Sequence, residues 1–262
     1  MIKTPLSTVI GGAFWTPGAT ILGSASKTIN QIIKSLFADG TQGLYLNAQD
    51  ALSVSDLSSI KDLSGRNNHA AQPNATSRAT LITDPSGYKS LKFDGVDDGY
   101  VTQSINFTTT NEITVIAAVK NTSTVGYQNI VEFSVNSSIN DGAFLLRCPH
   151  ELKPFYLSKG TVVAQTALIT TPDLLGGVVL SAKSKISTDN LNLRVNGVSN
   201  VINTDQGVGN YGNYPLYICR RGGTTQSFNG QIYALLVIGK LLDDATVAKI
   251  EKEFAKYIGV TL

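Results

Sequence analysis

The chain has 262 residues, 42% of them hydrophobic and 15% charged, with 21 basic and 19 acidic side chains for a net charge of +2. This is the composition of a folded chain, not a disordered one, and with no basic run it gives no footing for nucleic-acid binding. Two cysteines, Cys148 and Cys219, supply neither a disulfide framework nor a zinc spacing, and they read as buried free thiols.

Residues 1–42 differ from the rest. The opening "MIKTPLSTVIGGAFWTPG" has one Lys, and Pro, Ser and Gly break its apolar run, so no signal peptide is expected. No segment approaches the roughly 20 apolar residues of a membrane span. Trp15, the only tryptophan, sits near Pro17 on a Gly-rich stretch. It is a natural anchor for a neighbouring subunit, because an aromatic ring left in water is costly. Next comes an amphipathic pattern, Ile29, Ile32, Ile33, Leu36 and Phe37, spaced as one helix face, with Ser26 as N-cap and Gly40 as stop. That stripe packs either on the β-rich remainder of the chain or on a partner chain. We expect residues 1–42 to be an attachment and assembly arm, with the stripe pairing around a symmetry axis as in a homotrimer.

From residue 43 the pattern is strand after strand. "GLYLNA" is short and half-buried. "SLKF" leads into "DGVDDGYV". "EITVIAAVK", residues 112–120, is nearly all apolar, as in a central strand. In "NIVEFSV", Val131, Phe133 and Val135 alternate with Glu132 and Ser134, giving one buried face. "AFLLR", "PFYLS", "TVVAQTALI" and "GVVLSAK" continue the series. "LNLRVNGVSNVI" turns at Asn196-Gly197, residues suited to a hairpin with positive φ. "PLYICR" and "GQIYALLVIG" are the last strands. A helix closes the chain: Asp243 and Asp244 stand at its positive end, Val247, Ile250, Phe254 and Tyr257 form its stripe, and Gly259 stops it. Strands joined by Gly/Asn turns, with no βαβ alternation, specify an all-β sandwich.

Three carboxylates, Asp94, Asp97 and Asp98, crowd the stretch "SLKFDGVDDGYV". The leading reading is a tight turn, with Gly95 and Gly99 free to take positive φ and Asp accepting backbone N–H bonds. The alternative is a calcium site, the only cofactor the sequence suggests, although the EF-hand spacing is not met. No catalytic set is apparent. The glutamates Glu112, Glu132 and Glu151 are isolated, Glu251 and Glu253 lie on the last helix, and no nucleophile elbow, Walker loop or HExxH motif occurs. The chain is therefore expected not to be an enzyme. For ligand binding the candidates are Tyr211, Tyr214, Arg220 and Arg221 in "QGVGNYGNYPLYICRRGG", with Tyr127 in "NTSTVGYQN". Aromatic faces stack on sugars, and Arg hydrogen-bonds hydroxyls. The competing reading puts Tyr217 and one other of these tyrosines in the core and leaves the arginines solvated.

"IKDLSGRNNHAAQPN", then "GYKSLKFDGVDDGYV", then "FNGQIYALLVIGKLLDDATVAKIEKEFAKYIGV" together resemble the concanavalin A-like, laminin-G-type jelly-roll modules found in tailed-bacteriophage virion proteins. The resemblance implies a β-sandwich over residues 43–262, preceded by a short arm and helix and closed by a C-terminal helix. "SLFADGTQGLYLNAQDALS" resembles the junction before such modules in phage tail proteins. The implied role is a non-enzymatic structural protein of the virion, in a tail, fibre or decoration, contacting other virion proteins through residues 1–42 and presenting a lectin-like domain to a host glycan. The alternatives are a bacterial carbohydrate-binding or adhesion module and a divergent glycoside hydrolase. The resemblance also implies that Asp62–Ala70 is a loop near the Asp94 turn, that His69 is a loop or packing residue and not a catalytic base, that Asp94 fixes the turn, that Phe228 is core, and that Gly230 enters a central strand.

Overall fold

The computed structural model describes residues 8–10, 13–15, 27–123, 126–150, 153–161, 165–168, 175–203 and 205–262. Two large antiparallel sheets face each other. The back sheet runs, in spatial order, Val198–Asn203, Asn190–Val195, Gly176–Lys185, Glu112–Asn121, Asn229–Ile238, Lys89–Asp94 and Thr80–Thr83, with Gly43–Asn47 also paired to Asn229–Ile238. The front sheet runs Gln165–Leu168, Lys153–Lys159, Ala143–His150, Tyr127–Phe133, Leu216–Ile218, Tyr100–Thr102, Ala70–Ala71 and Ser59–Ile60.

Two helices, α1 (Ile29–Ser35) and α2 (Asp244–Ile258), accompany the sheets, and both pack on the outside of the back sheet. This explains why Glu112–Asn121 reads as an unbroken apolar run rather than an alternation. Ile113, Val115, Ala117 and Val119 face the sandwich core, while Ile116 and Ala118 face the helices. A strand buried on both faces has no polar side to display. Asn229–Ile238 repeats the arrangement, with Leu235 and Val237 inward and Tyr233, Leu236 and Ile238 toward the helices. Gly230 is required where this strand begins, since a Cβ there would lie 2.4 Å from the Lys120 carbonyl oxygen. Phe228 beside it is fully buried, as expected.

The helix ends follow the capping rules. Asp243 caps α2 by accepting from Thr246 N at 2.8 Å, and Gly259 ends it in the left-handed region at φ 72°. The cap of α1 is Thr28 and not the expected Ser26. Thr28 and Gln31 form a reciprocal capping box, and the helix passes into its C-cap at Leu36, four residues before Gly40. The stripe on α1 does not wait for a partner chain. Ile33 and Phe37 are fully buried in one cluster with Tyr45, Tyr233, Leu236, Ile238 and the α2 stripe, and Ile29 and Leu36 pack against it. Asn30 adds polar ties, accepting from Tyr45 Oη at 2.6 Å and from Asn47 Nδ2 at 3.0 Å. Ile33 and Phe37 therefore belong to the layer packed between the helices and the back sheet, so these two residues of the stripe are not available for the expected pairing in a homotrimer. Trp15 lies in a short hairpin, Thr8–Ile10 with Ala13–Trp15, and its side chain falls outside the described residues.

Other expectations hold in detail. Asn196 and Gly197 take φ 48° and 79° at the hairpin joining Asn190–Val195 to Val198–Asn203. Cys148 and Cys219 are buried free thiols. His69 is a packing residue whose Nδ1 accepts from Asp62 N at 3.1 Å. The Asp62–Ala70 loop ends at Ala70, which pairs with Thr102 on the strand that leaves the Asp94 turn. It folds back on the start of the sandwich, with Asp62 accepting from Tyr45 N and Asn68 donating to the Gly43 carbonyl. The segment after it, Asn74–Ser77, reaches the Asp94 turn. Among the described residues no helix is long and apolar enough to cross a membrane.

Candidate ligand-binding face

With both helices on the back sheet, neither described helix covers the outer face of the front sheet. Lys153–Lys159 shows how its residues sort: Tyr156 and Ser158 are buried inward, whereas Lys153, Phe155 and Leu157 turn outward. Strand register sets a row of outward side chains across the sheet, Val101, Tyr217, Glu132, Leu145 and Leu157, each opposite the next. A second row places Asn129 opposite Arg147 and Arg147 opposite Phe155.

Glu132 overturns the expectation of one buried and one exposed face on its strand. It is 0% exposed although it points outward. Two loops close over it. Its Oε1 accepts from Ser134 Oγ and Ser137 N, both at 3.0 Å, and its Oε2 accepts from Gly222 N at 2.7 Å. Arg221 Nε stands 3.9 Å from Oε1, and Arg221 also donates to Ser138 Oγ. Val135, expected on the buried face, lies beyond the strand end in one of these loops and is exposed. Glu132 is thus a buried post on which two loops are hung.

The second of these loops, residues 219–228, divides the face. Cys219, Gly222, Gly223 and Gln226 all take positive φ, so the loop doubles back tightly. Arg220 pins it down, donating from Nη1 to the Asp97 carbonyl at 3.1 Å and from Nη2 to the Thr224 carbonyl at 2.7 Å. On one side lies a cleft of about 260 Å³ floored by Tyr217 and Val101 and edged by Arg220, Gly222 and Gly223. On the other is an open cleft of about 540 Å³ lined by the hydroxyl and amide residues Ser123, Gln128, Thr224, Thr225, Gln226, Ser227 and Asn229, with Val96 and two glycines beside them. Tyr127 forms its rim.

The sequence candidates separate on this scaffold. Tyr127 is 40% exposed, and the Arg147 guanidinium lies 5.6 Å from its ring centroid and 5.5 Å from that of Phe155. Burial and the like charge of Arg221 pull Arg147 below the ordinary arginine range, against the attraction of Glu132. Arg220 and Arg221 are neighbours on the dividing loop, the first spent on loop carbonyls, the second beside Glu132. Tyr211 is a correction. It is 1% exposed in the core, its hydroxyl bonded to Ser158 and Ser184, so it presents no face to a ligand. Tyr214 is half-buried, with its ring on Phe133 and its hydroxyl donating to the Asp141 carbonyl, and it stands apart from both clefts. Tyr217, placed in the core by the competing reading, is half-buried on the outer face. Arg147, Glu132 and Gln226 join the site with no local motif to mark them. The alternation of "NIVEFSV" does turn Glu132 outward, but of its two covering loops the one that carries Gly222 comes from a sequence position far away.

Asp94, Asp97 and Asp98 bring carboxylate oxygens within 4.8 Å of one another, the spacing a cation would need. Each also serves a protein donor. Asp94 Oδ1 accepts from Val96 N at 2.8 Å, Asp97 Oδ2 from Ser77 Oγ at 2.7 Å, and Asp98 Oδ2 from Asp94 N at 3.0 Å. Burial, reinforced by the charges of Asp94 and Asp97, raises the Asp98 carboxyl to about 6.

No known family matches the chain, and no curated protein matches it in sequence. Solved structures do match its shape. A structure of botulinum neurotoxin type C, from work on its interaction with two ganglioside molecules, superposes with a TM-score of 0.58 at 11% identity over 85% of this chain. The chain spans 52% of that one. Domain 4 of a GH43 extracellular arabinanase from Geobacillus stearothermophilus, solved with arabinotriose, gives 0.54 at 12% identity, covering 80% of this chain and 98% of the domain. The sialidase of Trypanosoma rangeli, in complex with an inhibitor, gives 0.53 at 14% over 81% of this chain and 32% of its own. The fold is a concanavalin A-like jelly roll. In this jelly roll both clefts open beside one loop, where the front sheet meets the end of the sandwich.

Proposed function

We propose that the protein is a non-enzymatic, lectin-like module that binds a glycan in the cleft rimmed by Tyr127. The observation that carries this reading is the wall of that cleft: seven hydroxyl and amide side chains beside an exposed aromatic ring. Sugars offer hydroxyls to the first and a C–H face to the second. The arabinotriose complex of the arabinanase domain supports the reading by showing a domain of this fold with a bound oligosaccharide.

The non-enzymatic part rests on where the described glutamates are engaged. Glu112 pairs with Lys185, Glu251 with Arg194, Glu253 with Lys256, and Glu132 is enclosed by its loops. Glu151 lies outside the described residues. We further propose the setting of a bacteriophage virion, in tail, fibre or decoration. Its support is the resemblance of the three sequence stretches and of the lead-in over residues 35–53. With α1 committed to the core, attachment to other virion proteins falls to the residues before Thr28.

Calorimetric titration against a panel of oligosaccharides tests the binding. We expect one class to bind and Tyr127→Ala to weaken it roughly tenfold, the worth of one aromatic stacking contact. Failure of the whole panel to bind, or full affinity in the Tyr127 variant, would remove the assignment.

A further inference from the structure

The smaller cleft has an aromatic platform of its own. Ala71, Val101 and Tyr217 stand opposite one another on adjacent strands and turn outward, so they form a continuous floor. Tyr217 is half-buried, and its hydroxyl makes no hydrogen bond among the described residues. Gly223 lies against the edge of its ring, where a Cβ would come within 3.1 Å of Tyr217 Cε1.

The wall between the two clefts is a single segment of chain. Gly223 lines the smaller cleft, and Thr224, the next residue, lines the larger. Consecutive Cα atoms are about 3.8 Å apart. Thr224 and Thr225 are exposed on this wall, and their hydroxyls make no hydrogen bond among the described residues. The wall is also held in place. Arg221 N donates across it to the Thr225 carbonyl at 2.7 Å, and Arg220 and Ser227 tie it to the Asp94 turn. A ligand that meets a wall already fixed in this way spends little on ordering it. Among the described residues Arg220 is the one formally charged side chain lining either cleft, and it is bonded to the carbonyls of Asp97 and Thr224. What the clefts offer is aromatic rings, hydroxyls and amides.

Resting on the glycan reading above, we propose that the two clefts are consecutive subsites for one linear, uncharged glycan. The chain crosses the wall at Gly223 and Thr224, with one sugar against Tyr127 and another against Tyr217. Once the first sugar is bound, the second contact is intramolecular, so length adds affinity.

The test is calorimetric titration of the full chain with cello-, xylo-, arabino- and manno-oligosaccharides, each graded from disaccharide to hexasaccharide. In the series that binds, we expect affinity to climb roughly tenfold with length and then level off, with a single hexasaccharide bound per chain. Tyr217→Ala should remove the gain with length and leave the affinity for the disaccharide unchanged. Ala71→Gln obstructs the same cleft from an exposed position and should have the same effect, so the proposal stays testable if Tyr217→Ala fails to fold. Affinity that does not change with length, or a full gain with length in both variants, would overturn the proposal and leave the lectin reading standing. So would a second hexasaccharide bound per chain, which would make the clefts separate sites. Tighter binding of a uronic-acid oligomer than of a neutral one of equal length would also overturn it. No binding by any oligosaccharide would remove both.

Discussion

Asp98 shows how much one side chain can be governed by its surroundings. It is nearly buried, it accepts the Asp94 amide, and two further carboxylates lie beside it, so its carboxyl titrates at about 6. A folded-state value above the unfolded one, roughly 3.9, means that protonation favours the folded chain. The contribution is complete below the unfolded value and is lost as pH rises through about 6. Asp98→Asn keeps an acceptor for the Asp94 amide and never carries the charge. Its melting temperature should exceed that of the parent at pH 7.5, with the difference vanishing as pH falls toward 4 in matched thermal melts. A variant that is less stable at every pH would refute this account of the turn. Tyr211 and Tyr127 make the complementary pair. Tyr211→Phe deletes a hydroxyl from the buried set with Tyr156, Ser158 and Ser184 and should cost roughly 1–2 kcal/mol in denaturant unfolding. It should leave glycan binding intact, the reverse of Tyr127→Ala.

Among the elements, α1 decides most about how the chain is divided. Its stripe has the spacing of a partner-seeking helix, yet Ile33 and Phe37 are spent on the back sheet and on α2. Phe37→Ala should destabilise the protein by roughly 3–5 kcal/mol, the usual cost of emptying a buried aromatic site. Ile32→Ala, at a half-buried position outside that cluster, should cost well under half as much in the same urea titration. A chain beginning at Thr41 should melt far below the full chain. If it melts at the same temperature, α1 is not core and the arm regains its claim to residues 29–37. The C-terminal α2 is bound by charge as well as by packing, with Arg194 gripping Glu251 through Nε at 3.0 Å and Nη2 at 2.8 Å.

At the scale of the molecule, the architecture is one of three layers: helices, back sheet and front sheet. Both clefts beside the dividing loop open on the front-sheet side. This asymmetry yields a further expectation. The Asp94 turn braces the dividing loop through Arg220 and Ser227, which donate to the carbonyls of Asp97 and Val96. If its carboxylates serve only protein donors, EDTA should leave both the melting temperature and glycan affinity unchanged. A drop restored by calcium would show that a cation holds the turn. For the proposed virion setting, the protein should co-purify with intact particles, and its absence from them would discard that setting while leaving the fold and the cleft untouched.

Local patterns in the chain were enough to specify the all-β class, the central strand over residues 112–120, the Asn196-Gly197 hairpin and the start and stop of α2. Each of these depends on backbone preference or on hydrophobic period within a few residues, and such signals are carried by neighbours in sequence. The Asp94 turn was legible for the same reason, because Asp94 and Asp98 accept from amides close by and Gly95 takes positive φ. What lay beyond reach was where each element turns its second face. The α1 stripe is equally suited to a symmetry axis or to a sheet, and only the position of the back sheet settles it. Tyr211 and Tyr127 both stand in stretches rich in small and amide residues, yet one enters the core and the other rims a cleft. The difference arises from Ser158 and Ser184, which meet Tyr211 only after the two sheets close. Glu132 is the clearest case. Its strand dictates that it points outward, but its burial depends on Gly222, 90 residues away in sequence, folding back over it. A site assembled from distant parts of a chain exists only in the tertiary structure, because no local pattern records which distant backbone will arrive.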